Sequence, residues 1–282
     1  MNGHEYLVAD VFCDAVLEGN PVAVFTDAGD LDAATMQRTA RELNLSETVF
    51  LVGDVPDGAD VRARIFTPGV ELPFAGHPVL GTAFVVGRAR GSETVRIATG
   101  SGIVPVALTR AGDTIVSGEM EQPIPTWKPL PQAIAQVVLA AVGVPASALP
   151  IEIYDNGPRH CYVALGSVAE VAALQPDWRA LGAAGSFGVS CFSAETSGRV
   201  HTRVFWGVTE DPATGSAAGP LAVHLARHGI TRFGQRLTID QGEEIGRPSR
   251  LEAVADGSGE TVTRVAVGGG AVIVAEGRYR LR

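Results

Sequence analysis

The chain has 282 residues, 46% of them apolar, and a formal net charge of −9. That length can furnish one large domain or two ordinary ones with real cores. An acidic balance unbroken by any Lys/Arg cluster argues against nucleic acid or an anionic membrane as partner. Three scattered cysteines (Cys13, Cys161, Cys191), with no CxxC, argue against a disulfide framework and for a reducing compartment. The opening MNGHEYLVADVF lacks a basic stretch followed by an apolar run, and AIAQVVLAAVGV, the longest apolar stretch, is too short to span a bilayer. A soluble, cytoplasmic protein is expected.

In chain order, YLVADVF and VAVF read as strands, and DLDAATMQRTARELN as a helix whose acidic start suits a helix N-terminus. TVFLV and RARIF are further strands. PVLGTAFVVGRARG is an apolar helix ending in cations and glycine, and LPQAIAQVVLAAVG is a helix closing at Gly143. CYVAL and TRVFW read as strands, GPLAVHLARHG as a second apolar helix, and AVIVA as a last strand. GSG at 100–102 and GGG at 268–270 mark turns, because no Walker lysine or GxGxxG follows a strand.

Two of these stretches repeat each other. RIFTPGVELPFAGHPVLGTA from Arg64 aligns with RVFWGVTEDPATGSAAGPLA from Arg203. Arg64, Phe66, Glu71, Pro73, Gly76 and Ala83 then fall on Arg203, Phe205, Glu210, Pro212, Gly215 and Ala222. Upstream, GNPVAVF at Gly19 resembles GPRHCYVAL at Gly157 at nearly the same separation. Such a duplication predicts two similar halves, 1–118 and 119–282, with the last strand able to return to the first. Each half runs strand, polar turn, glycine, apolar helix. Two halves about a pseudo-twofold would bring both helix starts to one cleft.

A helix N-terminus offers unsatisfied N–H groups and partial positive charge, so it favours a carboxylate. Gly76 and Gly215 let backbone approach a ligand closely. His77 and Ser216 follow them as hydrogen-bond donors, and Pro78 fits the first helical turn. Asp211, in TEDPATGSA, reads equally as a helix-capping acid or as a carboxylate beside the substrate. Glu47, in ELNLSETVFL, is either solvated turn chemistry or a carboxylate against an apolar wall, with a raised pKa suited to moving a proton. GSAAG is not a GxSxG elbow, which argues against a serine hydrolase. His224 and His228 in HLARH lack the Glu of HExxH and sit near a helix C-terminus, where His is favoured anyway, so no metal is expected.

The strings GNPVAVF, ELNLSETVF, RIFTPGVELPFAGHPVLGTA, EQPIPTW, NGPRHCYVAL, EDPATGSAAGPLA with HLARHG, and QGEEIGRPS resemble the phenazine-biosynthesis isomerase family (PhzF-like) over essentially the whole chain. That resemblance implies an α+β, diaminopimelate-epimerase-like fold of two pseudo-symmetric halves, each a small β-barrel around a central helix. It implies a homodimer, with no metal and no organic cofactor. It implies isomerisation of trans-2,3-dihydro-3-hydroxyanthranilate, a hydrogen shift giving an enol that tautomerises to an amino ketone. Motif by motif, it assigns the acid/base role to Glu47, with His77 and Asp211 beside it. Gly76, Gly215, Ser216 and Ser46 become substrate-holding positions. Epimerases and racemases on this fold use two opposed cysteines; Ala75 and Thr214 stand at the corresponding helix starts, so a two-thiol mechanism is excluded. RVFWGVTEDP lacks the longer, Pro-containing loop expected before the Glu-Asp pair, and bulky Trp206 there bears on substrate choice. The alternatives are isomerisation of another small cyclic carboxylate, or a catalytically silent binding protein on the same scaffold.

Overall fold

Runs of β-branched and aromatic residues, cut by glycine turns, put more of the chain into strands than into helices. The structure, a computed structural model, describes residues 3–281. It divides into two compact units: the chain up to Glu121 with the return segment from Gly268, and Gln122–Val267. The repeat alone suggests one boundary after residue 118.

In the first unit, β1 (His4–Val11) pairs antiparallel with β2 (Asn20–Phe25), and β2 runs parallel to β3 (Glu47–Val52). The parallel step needs a crossover, supplied by α1 (Ala33–Leu43). Its start is fixed by Asp32, whose Oδ1 accepts from the Thr35 N–H at 2.7 Å, so the acid acts as a cap and not within the first turn. β3 returns antiparallel as β4 (Val61–Phe66), which pairs with the short β5 (Glu71–Leu72). α2 (Gly76–Arg90) leads to β6 (Thr94–Thr99), parallel to β4, and the sheet continues antiparallel through β7 (Gly102–Ala111) and β8 (Thr114–Glu121).

The second unit repeats this wiring after β9 (Thr126–Pro129) and α3 (Gln132–Val142), which closes at left-handed Gly143. β10 (Glu152–Asp155) pairs antiparallel with β11 (Arg159–Ala164). β11 is parallel to β12 (Gly188–Ala194) across α4 (Val168–Ala172) and α5 (Trp178–Ala184). β12 is antiparallel to β13 (Arg199–Trp206), and β13 pairs with β14 (Thr209–Asp211). α6 (Gly215–Arg227) then leads to β15 (Leu237–Gln241), parallel to β13 and antiparallel to β16 (Ser249–Ser258). β17 (Thr261–Gly269) follows, and β18 (Ala271–Tyr279) completes the first unit beside β1. Every parallel and antiparallel step from β1 to β7 therefore recurs from β10 to β16.

Each unit wraps its strands around one helix. α2 is apolar all round and buried from Gly76 to Gly87 against β1, β2, β6, β7, β8 and β18, as such a helix must be. Gly81 is why it can sit so close: a Cβ there would lie 2.6 Å from Val22 Cγ1. α6 is buried almost as completely, from Gly215 to Leu225, with Ser216 the half-exposed exception.

The repeated Arg, Phe and Glu form the same device twice. Arg64 donates Nε and Nη2 to the two Glu71 oxygens, each at 2.7 Å, with its guanidinium 5.2 Å from the Phe66 ring centre. Arg203 grips Glu210 at 2.8 and 2.7 Å and lies 5.1 Å from Phe205. Both clamps tie β4 to β5, or β13 to β14, just before the central helix starts. The second is deeper: Arg203 and Glu210 side chains are 8% and 5% exposed, against 28% and 42% for Arg64 and Glu71.

Candidate functional site

In the first unit, Glu47 opens β3 and His77 is the second residue of α2. His77 Nε2 stands 3.3 Å from Glu47 Oε2, with side chains 7% and 15% exposed. The approach is close without meeting hydrogen-bond geometry at Nε2. Burial pushes the His77 imidazole down to about 3, so it is neutral at ordinary pH. A neutral ring can turn an N–H towards a carboxylate without setting a full positive charge beside it. Ala75, the residue before the helix, is extended and has no side-chain cap to offer, so the first-turn N–H groups at Gly76 and His77 are uncapped by side chains. Ser46 is exposed in the bend before β3.

The second unit builds its helix start differently. Thr214 precedes α6 and makes no cap; its hydroxyl donates backward to Asp211 Oδ2 at 2.6 Å. Asp211 ends β14, and this bond ties its carboxylate to the residue that precedes the helix. Buried Gln241 braces this turn: its Oε1 accepts from the Thr214 N–H at 3.2 Å, and its Nε2 donates to the Asp211 carbonyl at 2.7 Å and to Thr214 Oγ1 at 3.0 Å. Beyond it, three side chains hold the first carbonyls of α6. Gln122 donates to Gly215 at 2.9 Å, Asn156 to Ser216 at 3.1 Å, and Tyr162 to Ala217 at 2.8 Å. His160 Nε2 lies 3.0 Å from the Ser216 hydroxyl. Burial holds His160 down to about 3 as well.

Thus Glu47, His77 and Gly76 are brought together, as are Asp211, Gly215 and Ser216. Sequence reasoning missed Gln122, Asn156, His160 and Gln241. They lie in EQPIPTW, NGPRH and QGEEIGRPS, strings whose resemblance was legible but whose structural role was not.

Elsewhere, Glu152, His224 and His228 place three donor atoms within 4.8 Å of one another. Arg227 Nη1 already donates to the same Glu152 Oε2 at 2.7 Å, so the carboxylate has its cation. Burial raises the Glu152 carboxyl, but hydrogen bonds from His224, Arg227, His228 and Tyr154 outweigh that and hold it well below the usual carboxylate range. The three cysteines are free and buried, and burial pushes Cys161 and Cys191 far up, the latter to about 12. That suits Cys161 and Cys191 to packing and not to thiolate chemistry. A cavity of about 500 Å³ in the first unit, lined by Cys13, Phe84, Arg88, Asp113 and Ile273, includes none of the expected site residues. No described helix is long and apolar enough to cross a membrane.

Residues 9–277 match the model of the PhzC-PhzF family, described as phenazine biosynthesis-like protein. The chain belongs to that family. It is 50% identical, over 99% of its length and all of the relative's, to the trans-2,3-dihydro-3-hydroxyanthranilate isomerase of Pseudomonas aeruginosa. A PhzF-family phenazine biosynthesis protein of Bacillus anthracis superposes over the whole of both chains with a TM-score of 0.86 at 24% identity. A hydroxyproline epimerase from Agrobacterium vitis matches 99% of this chain and 91% of its own with a TM-score of 0.66 at 12% identity. The fold of this PhzF-family member is α+β and diaminopimelate-epimerase-like, as the motifs implied.

Proposed function

We propose that the protein isomerises trans-2,3-dihydro-3-hydroxyanthranilate in phenazine biosynthesis. What carries the reading is full-length identity of 50% to an isomerase of that name, in a chain that keeps a buried carboxylate–imidazole pair at an uncapped helix start.

Glu47 takes a ring hydrogen as a proton from one carbon, the electron pair shifts through the conjugated diene, and the same carboxylate returns the proton to another ring carbon on that face. The product is an enol, which tautomerises to the amino ketone. The proton leaves and returns through Glu47 while the electron pair stays within the substrate, so the shift is redox-neutral and needs no oxidant or reductant. His77, neutral, orients Glu47 and the substrate's polar substituents, and Asp211 offsets charge at the amino or hydroxyl group. Uncapped N–H groups at Gly76 and Gly215, with the Ser216 and Ser46 hydroxyls, hold the carboxylate. Free buried cysteines suit a reducing cytoplasm, and a homodimer is the assembly we assign.

Mixing the purified protein with trans-2,3-dihydro-3-hydroxyanthranilate and following diene absorbance tests the reading. Loss of the diene with appearance of the amino ketone is expected. An unchanged spectrum with folded protein overturns it.

A further inference from the structure

Ser216 is half-exposed, and among the described residues its hydroxyl meets one side-chain partner, His160 Nε2 at 3.0 Å. Either group could be the donor, and the other imidazole nitrogen decides which. Nδ1 of His160 is buried with no hydrogen-bond partner. A Cβ built on Gly188 would lie 2.5 Å from that Nδ1, so the Gly188 Cα hydrogen points at it. A proton on Nδ1 would be an orphaned buried donor facing another hydrogen. A lone pair there meets a C–H, a weakly favourable contact. His160 therefore carries its proton on Nε2 and donates it to Ser216 Oγ. With the oxygen already accepting, the serine's own hydrogen is left to point at an acceptor beyond the protein.

From this geometry we infer that His160 is a positioning residue that makes Ser216 an obligate donor to a substrate carboxylate at the start of α6. The inference deepens the proposed reaction and rests on it for the identity of the acid. Packing fixes the ring in this orientation. It lies edge-on to Trp206 with centres 5.2 Å apart, in a slot only Gly188 leaves open, since a Cβ there would also lie 2.6 Å from Trp206 Cε3. The shortened hairpin that brings Trp206 to this place thus forms one wall of the slot.

Two measurements test the inference. A long-range proton–nitrogen NMR spectrum of the imidazoles, assigned with His160→Gln, reads the tautomer directly and needs no substrate. Protonated Nε2 is expected, and protonated Nδ1 overturns the inference. Calorimetric titration with anthranilate, an unreactive aromatic acid, reads the consequence. His160→Phe and Ser216→Ala should each weaken binding about 10-fold, the double variant no more than either, and His160→Gln should restore most of the loss. Losses that multiply in the double variant, or wild-type affinity in His160→Phe, overturn it. Failure of the parent protein to turn over the dihydro substrate would sink the proposed reaction alone, and the tautomer would still decide the role of His160.

Discussion

Glu210→Gln and Glu71→Gln remove the same carboxylate charge from the two copies of one clamp, and the structure assigns them very different costs. The amide introduced by Glu210→Gln would leave the Arg203 guanidinium buried, still donating to the Val171, Ala172 and Leu174 carbonyls but stripped of its hydrogen-bonded countercharge, with only the weaker, through-space influence of Glu244 remaining. Breaking a buried pair from one side costs about 3–5 kcal/mol, because an uncompensated charge stays inside. Arg64 is more than a quarter exposed and Glu71 nearly half, so water replaces much of what Glu71→Gln removes, and about 0.2–1 kcal/mol is expected. For a chain of this size that difference is on the order of 10 °C in melting temperature. Thermal and urea unfolding of the two variants beside the parent measure it. Arg203→Met with Glu210→Leu should recover part of the loss and not all, since three carbonyls lose their donor. Equal costs in the two copies, or a Glu210→Gln cost near zero, would refute the reasoning.

Two further outcomes follow from the helix starts and the buried histidines. Folding holds His77 and His160 neutral with pKa values of about 3, against about 6.5 for the unfolded chain. The unfolded state therefore binds more protons between those values, and stability must fall as pH drops from 6.5 towards 3, by up to about 1.4 kcal/mol per pH unit for each histidine. Urea midpoints measured at pH 7.5, 6, 5 and 4 should decline through that window; a flat profile contradicts the assignment. Gln241→Leu deletes the brace of the Asp211–Thr214 turn and should lower kcat/KM for the dihydro substrate about 10-fold or more, whereas unchanged kinetics in a folded variant would remove Gln241 from the site's support.

Much of the scaffold was legible because its signals are local. VAVF, TVFLV, RARIF, TRVFW and AVIVA lie in strands, as do YLVADVF and CYVAL but for their last residues, Phe12 and Leu165, since each is a short apolar or β-branched run bounded by turn residues. The repeated Arg-Phe-Glu-Gly spacing marked both central helices, because a clamp followed by a glycine helix start is written in adjacent residues. β7 was missed: GIVPVALTRA carries Pro105 and exposes much of its length, so it shows neither a clean alternation nor a continuous apolar run. The supports of α6 were illegible for a different reason. Gln122, the pair Asn156 and His160, and Gln241 come from three separate stretches, and only tertiary folding converges their polar ends on the start of α6. For Asp211, the sequence could not choose between a helix-capping acid and a carboxylate beside the substrate; the structure adds the hydroxyl of Thr214, which donates to it.

Single-turnover kinetics of Glu47→Gln with trans-2,3-dihydro-3-hydroxyanthranilate in deuterium oxide tests the hydrogen-carrier role most directly. The amide keeps the shape and cannot accept the proton, so the rate should fall about 10²–10⁴-fold, with no label delivered to the ring. Conversion near the parent rate, with deuterium still arriving at carbon, would contradict the account.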